Sequence, residues 1–102
     1  MAGGKQRDMD NKVIDPVIRE AINTYGKEKQ FHQCVEELGE LIVAISHYLR
    51  NRPDAKEEVA EELADAKLMI RQVELMMDME KEVDMYISAK LRRLAYKLNL
   101  DN

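Results

Sequence analysis

Apolar residues recur every three or four positions along most of the chain, and the strict alternation of a half-buried strand appears nowhere. Phe31, Cys34, Val35, Leu38, Leu41, Ile42, Ile45 and Leu49 form the clearest series, one stripe along a helix predicted over about residues 28–51. Arg52-Pro53 closes that helix, because the proline ring pushes the preceding residue out of helical geometry. Asp54 then reads as an N-cap, with Glu57 completing a capping box. Val59, Leu63, Ala66, Ile70, Val73 and Met77 carry the stripe of the third helix. The register falters near Asp78, and Val83, Ile87, Leu91, Leu94 and Leu98 outline a fourth. Upstream, Asp15-Pro16 reads as cap and first helical position of a short helix through Val17, Ile18, Ala21, Ile22 and Tyr25, ended by Gly26. Residues 1–12 read as a flexible arm and 13–102 as a single domain. Short connections make neighbouring helices antiparallel, so the predicted fold is all-α, a four-helix bundle.

Composition adds the nature of the core. With 5% aromatic residues, no Trp and a single Phe, it must be built from Leu, Ile, Val, Met and Ala. A chain of 102 residues holds one such core, and a modest one, so self-association is expected to add burial. Seven methionines suit an adaptable core or a subunit contact. The net charge of -4 gives no general attraction to nucleic acid or an anionic membrane. No apolar run approaches the ~18 residues a spanning helix needs, and the first twelve residues lack a signal-peptide core. Cys34 is the only cysteine, which forbids an intrachain disulfide and suits a reducing compartment. The combined expectation is a cytoplasmic protein.

Charge distribution says more than its sum. Nine acids and three bases lie between Glu36 and Asp65, whereas four bases and one acid follow Tyr86. Within the acidic stretch one phrase is written twice, as Glu37-Leu38-Gly39-Glu40 and again as Glu62-Leu63-Ala64-Asp65. At roughly 100° per residue, Glu37 and Glu40 fall on the same flank of a stripe centred on Leu38. Glu62 and Asp65 repeat that frame around Leu63. If the two helices pack with these flanks facing, four carboxylates converge at the edge of the core. Each like-charge pair at 4 Å costs ~1 kcal/mol in water and ~4 kcal/mol at a partly shielded site, unless a cation intervenes. All-oxygen donors select hard ions, so Mg²⁺ is the expected cation, with Mn²⁺ as a substitute. Lys90 and Arg93 flank Leu91 at the same angles on the last helix, where they suit a polyphosphate held beside the metal.

Against this stands a plainer reading, a solvated acidic face, which explains most single EExxE patterns. Glu57, Glu58 and Glu61 fit it as dipole partners and surface charge of a helix N-terminus. His32 and His47 have no second ligand at helical spacing, and Lys29 and Ala44 occupy the positions where a di-iron Glu-x-x-His motif needs Glu. Nothing resembles a P-loop, a nucleophile elbow or a Cys/His zinc site.

The paired motif, Glu36-Glu37-x-x-Glu40 and then Glu62-x-x-Asp65 after 21 residues, resembles the signature of the MazG-like all-α nucleoside triphosphate pyrophosphohydrolases. The likeness runs from about Tyr25 to Leu98 and looks closest to short phage- and prophage-type members. It implies Mg²⁺-dependent cleavage between the α- and β-phosphates of a nucleoside triphosphate. Glu37, Glu40, Glu62 and Asp65 would be metal ligands, with the proton acceptor drawn from Glu36, Glu37 and Glu40. Lys90 and Arg93 match the family's phosphate-holding basic residues, and dimers or tetramers are expected. Gln30, Gln33 and Tyr25 precede the first motif and are candidates to touch the nucleotide. The same superfamily includes phosphoribosyl-ATP pyrophosphohydrolase, which the acidic signature does not separate. The alternative outside it is a non-enzymatic helical oligomer, an interaction or regulatory protein.

Overall fold

A computed structural model describes the backbone of residues 2–100 and the side chains of residues 11–100. Four helices follow in order: α1 (Ala2–Tyr25), α2 (Lys27–Leu49), α3 (Ala55–Met77) and α4 (Glu80–Lys97). There is no strand among the described residues, so the all-α reading holds.

The breaks fall where backbone chemistry demands them. Gly26 takes φ +91° between α1 and α2, a conformation that a side chain would strain. It still accepts from the Gln30 N–H at 3.1 Å, so one residue turns the chain. The α2–α3 link uses left-handed Asn51 and Asp54, at φ 58° and 61°, residue types that tolerate that region. Asp54 precedes α3 as expected, but its side chain makes no capping bond. With its backbone in the left-handed region rather than the extended one of an N-cap, the carboxylate is misdirected for the expected capping box. Asp78, at φ 49°, ends α3 where the apolar register falters.

The start of the chain departs from expectation. The helix extends continuously from Ala2, through the residues expected as an arm, and Asp15-Pro16 lies within it rather than at its start. The Asp15 carboxylate is used elsewhere. It accepts two bonds from the Arg71 guanidinium, at 2.8 and 2.7 Å, while Arg71 also donates to Glu80 at 2.8 Å. One nearly buried cation thereby ties α1, α3 and the start of α4 together. Arg71 and its partners stabilise each other's charged forms, holding Asp15 below the usual carboxylate range and Arg71 above its own.

Helices α2 and α3 form the central antiparallel hairpin. Their cross-contacts step in opposite directions along the two helices, with His47 at Glu58, Glu37 and Glu40 near Glu62, and Gln30 at Gln72. Cys34, Ala44 and Ala66 are buried along this seam, and such small side chains let the helices approach closely. The polar Gln30 and Gln72 side chains are buried with them and satisfy each other by a hydrogen bond.

Five of the eight residues of the expected apolar stripe of α2 are exposed rather than buried at this seam. Val35, Ile42 and Leu49 are about 70% exposed (70, 69 and 73%), and Phe31 and Ile45 are also exposed. Among the described residues, helix α4 approaches only α3 and buries no residue. The chain exposes 8374 Å², whereas a compact monomer of 11.9 kDa exposes about 6,000 Å². Its radius of gyration, 16.3 Å, likewise exceeds the ~13 Å of a compact domain this long. Within one chain the four helices are thus a tight α2–α3 hairpin braced by α1, with α4 touching α3 alone among the described residues.

Candidate metal and substrate site

The duplicated acidic phrases meet across the hairpin. Carboxylate oxygens of Glu37 and Glu40 on α2 and Glu62 on α3 all lie within 4.8 Å of one another. Glu37 and Glu40 are one turn apart on the same helix, which sets their side chains side by side. Gln33, one turn earlier, donates to Glu37 Oε1 at 2.9 Å and holds that carboxylate toward the seam.

What separates this cluster from a solvated acidic face is the state of its inner oxygens. Glu37 Oε2 and Glu62 Oε2 are both inaccessible to solvent and have no hydrogen-bond partner. A buried polar atom without a partner costs roughly 1–3 kcal/mol, more if charged. The electrostatics agree. Burial, then the charges of Glu40 and Asp65, push the Glu37 carboxyl above its ordinary range, against the opposing bond from Gln33. Glu62 is raised by the same causes, with Glu37 and Glu40 both contributing. Asp65 stays outside the three-oxygen group yet close enough to act on both. The donor set fits a hard divalent cation, since convergent carboxylate oxygens with unused lone pairs are what Mg²⁺ or Mn²⁺ requires.

The cluster opens into a cleft of about 570 Å³ lined by Glu36, Gly39, Glu40, Val43, Glu58 and Glu62. Glu36 and Glu40 are exposed at its mouth. Glu58, expected as a dipole partner and surface charge, does lie in the first turn of α3; it also lines the cleft, where its carboxylate meets His47 Nδ1 at 2.8 Å. Helical spacing on α2 alone gives no hint of that pair, because the partners come from opposite sides of the interhelical turn.

The other candidates fall outside this centre. Gln30 is buried, and its amide N–H donates to Gln72 Oε1 in the core rather than lining the cleft. Gln33 is committed to Glu37. Tyr25 lines a separate shallow depression with Gly26, Glu28, Lys29 and His32, and the Lys29 ammonium sits 5.1 Å from its ring centre. Lys90 and Arg93 are exposed on α4, which comes near neither α2 nor α1, so a single chain does not bring them to the carboxylates. No helix among the described residues is long and apolar enough to cross a membrane.

Comparison with protein-family models, curated proteins and solved structures finds no match to this chain.

Proposed function

We propose that the protein is a Mg²⁺-dependent nucleotide pyrophosphohydrolase of the MazG-like kind, acting on a nucleoside or deoxynucleoside triphosphate. The observation that carries this reading is the pair of buried, unpartnered oxygens of Glu37 and Glu62, converging from two helices beside Glu40. Surface acids gain nothing from such an arrangement; acids that bind a cation need it.

In this reading Glu37, Glu40, Glu62 and Asp65 hold the metal. Bound Mg²⁺ (or Mn²⁺) supplies charge neutralisation for a polyphosphate and lowers the pKa of water bound to it. The chain's own groups do the rest. Of the candidate proton acceptors Glu36, Glu37 and Glu40, Glu36 lines the cleft without being a metal ligand in this reading, so it is the one to orient water and accept its proton during attack on the α-phosphorus. That attack breaks the α–β anhydride bond, leaving a nucleoside monophosphate and pyrophosphate. Gln33 keeps Glu37 turned inward throughout.

The same proposal includes a homo-oligomer, a dimer or tetramer. Phe31, Val35, Leu38, Ile42, Ile45 and Leu49 repeat at alternating steps of four and three residues, the spacing of a helix–helix seam. All but Leu38 are exposed in the single chain. Association is also the route by which Lys90 and Arg93 reach a phosphate chain, from a second copy. A cytoplasmic setting completes the reading.

The test is release of pyrophosphate from each of the eight common nucleoside and deoxynucleoside triphosphates, with Mg²⁺ and with Mn²⁺. Turnover of at least one, abolished by Glu40→Gln or Asp65→Asn without loss of helicity, is the expected result. Silence throughout would leave the helical interaction protein as the better account.

A further inference from the structure

The seam between α2 and α3 is built on small residues, with Cys34, Ala44 and Ala66 buried along it. Side chains this short let helices approach closely, but they offer few knobs to lock one helix against sliding or turning on the other. Two amides share the seam. Gln30 and Gln72 are 7 and 2% exposed, and the Gln30 amide N–H donates to Gln72 Oε1. Two leucines would fill much the same space without taking an amide out of water. A polar pair kept there needs a reason other than stability.

Its place along the hairpin supplies one. The turn at residues 50–54 ties one end of the hairpin. Gln30, near the start of α2, and Gln72, near the end of α3, meet at the other. The acids lie between these two ties. Seven residues on from Gln30 and seven back from Gln72 stand Glu37 and Asp65, and ten each way stand Glu40 and Glu62. Seven residues make close to two helical turns, about 10 Å, so Gln30 shares a face of α2 with Glu37, and Gln72 a face of α3 with Asp65. A slip or rotation that parts the amides would strand both in the core and carry Glu37 and Glu40 out of step with Glu62.

Resting on the metal-site reading above, we propose that Gln30 and Gln72 are positioning residues, a buried amide pair that sets the register of α2 against α3 so that Glu37, Glu40 and Glu62 converge on one cation. A hydrogen bond is directional where apolar contact is not, so it selects one alignment among those that bury similar surface. The pair touches neither metal nor substrate and acts only through the two helices.

Replacing the pair by leucine should separate stability from metal affinity. Gln30→Leu alone strands the Gln72 amide and should lower the urea midpoint in EDTA. Adding Gln72→Leu should restore that midpoint to the wild-type value or above, with helicity retained. Mn²⁺ affinity of the double variant, measured by calorimetry, should nonetheless fall at least about tenfold, the scale for losing groups that orient metal ligands. Wild-type affinity in the stable double variant would reduce the pair to packing and overturn the proposal. A double variant less stable than Gln30→Leu, or without helicity, would assign the amides to stability and overturn it equally. Absence of saturable Mn²⁺ binding in the wild-type protein would remove the metal-site reading itself, and the positioning role with it.

Discussion

Neutralising Glu37 should make the metal-free protein more stable, although it deletes a charge from the heart of the site. In Glu37→Gln the retained carbonyl oxygen still accepts from Gln33, so the one bond that positions the side chain survives. The amide replaces the unpartnered Oε2 and turns an orphan acceptor into a donor directed at neighbouring carboxylates. Two charges at the 4.8 Å limit of this cluster repel by ~1 kcal/mol at the dielectric of water and ~3.5 kcal/mol at an effective value of 20. The opening of the cleft to solvent places the gain toward the lower figure, about 1–2 kcal/mol. Urea unfolding in EDTA measures it directly. In saturating Mg²⁺ the order should reverse, since a cation bound only by the folded wild type adds about 2.7 kcal/mol at a hundredfold excess over its Kd. The crossing of the two curves is the signature. If Glu37→Gln is less stable than wild type in EDTA, the carboxylate is serving the fold and the reasoning fails.

Four further outcomes follow from the same structure. Cation affinity should fall on acidification, because Glu37 and Glu62, both raised above the ordinary glutamate range, take up protons that compete with metal; a Mg²⁺ affinity unchanged from neutral pH down to the ordinary glutamate range would contradict this. Without metal the same two groups favour folding most below the unfolded glutamate pKa and lose that contribution as pH rises through their folded values, whereas Asp15, held low by Arg71, contributes above the unfolded aspartate pKa and loses it on acidification. Arg71→Met should cost about 3 kcal/mol, the scale for removing one partner of a buried charge pair, and abolish the Asp15 contribution, seen by comparing unfolding at pH 3 and 7. Ile42→Lys, placed on the exposed α2 seam, should shift sedimentation toward the monomer while far-UV circular dichroism keeps its helical shape.

Local chemistry made much of this fold legible in advance. Pro53, the turn-forming Gly26 and the register break at Asp78 act within a few residues of themselves, so the breaks between helices could be read from the chain, although the second helix ends at Leu49 rather than near the left-handed Asn51. The burial pattern was less accessible. Periodicity locates an apolar stripe but not what covers it, and α2 turns Cys34 and Ala44 to α3 while leaving Val35 and Ile42 outward. Buried Gln30, Arg71, Gln72 and Glu74 lie off the predicted stripes altogether; Gln30 and Gln72 pair across the hairpin and Arg71 pairs with α1 and α4, contacts that no single helix's periodicity reveals. Asp15-Pro16 carries the residues of a helix start, yet the long-range pairing with Arg71 holds the aspartate within α1.

The candidate site divides in the same way. Convergence of Glu37, Glu40 and Glu62 was visible because two matched helical frames on a hairpin leave little else for them to do. Gln33 as the positioner of Glu37 and Glu58 as part of the cleft wall were not, since their roles arise only once the helices are in contact. Lys90 and Arg93 share the sequence frame of the acids, but frame alone does not carry α4 across to α2.

Calorimetric titration of Mn²⁺ into the chelator-treated protein tests the account at its centre. Saturable binding that is lost in Glu62→Gln and retained in Glu57→Gln, an exposed acid on the same helix outside the cluster, is the predicted result. Identical isotherms for the two variants, or no saturable binding in the wild-type protein, would contradict it.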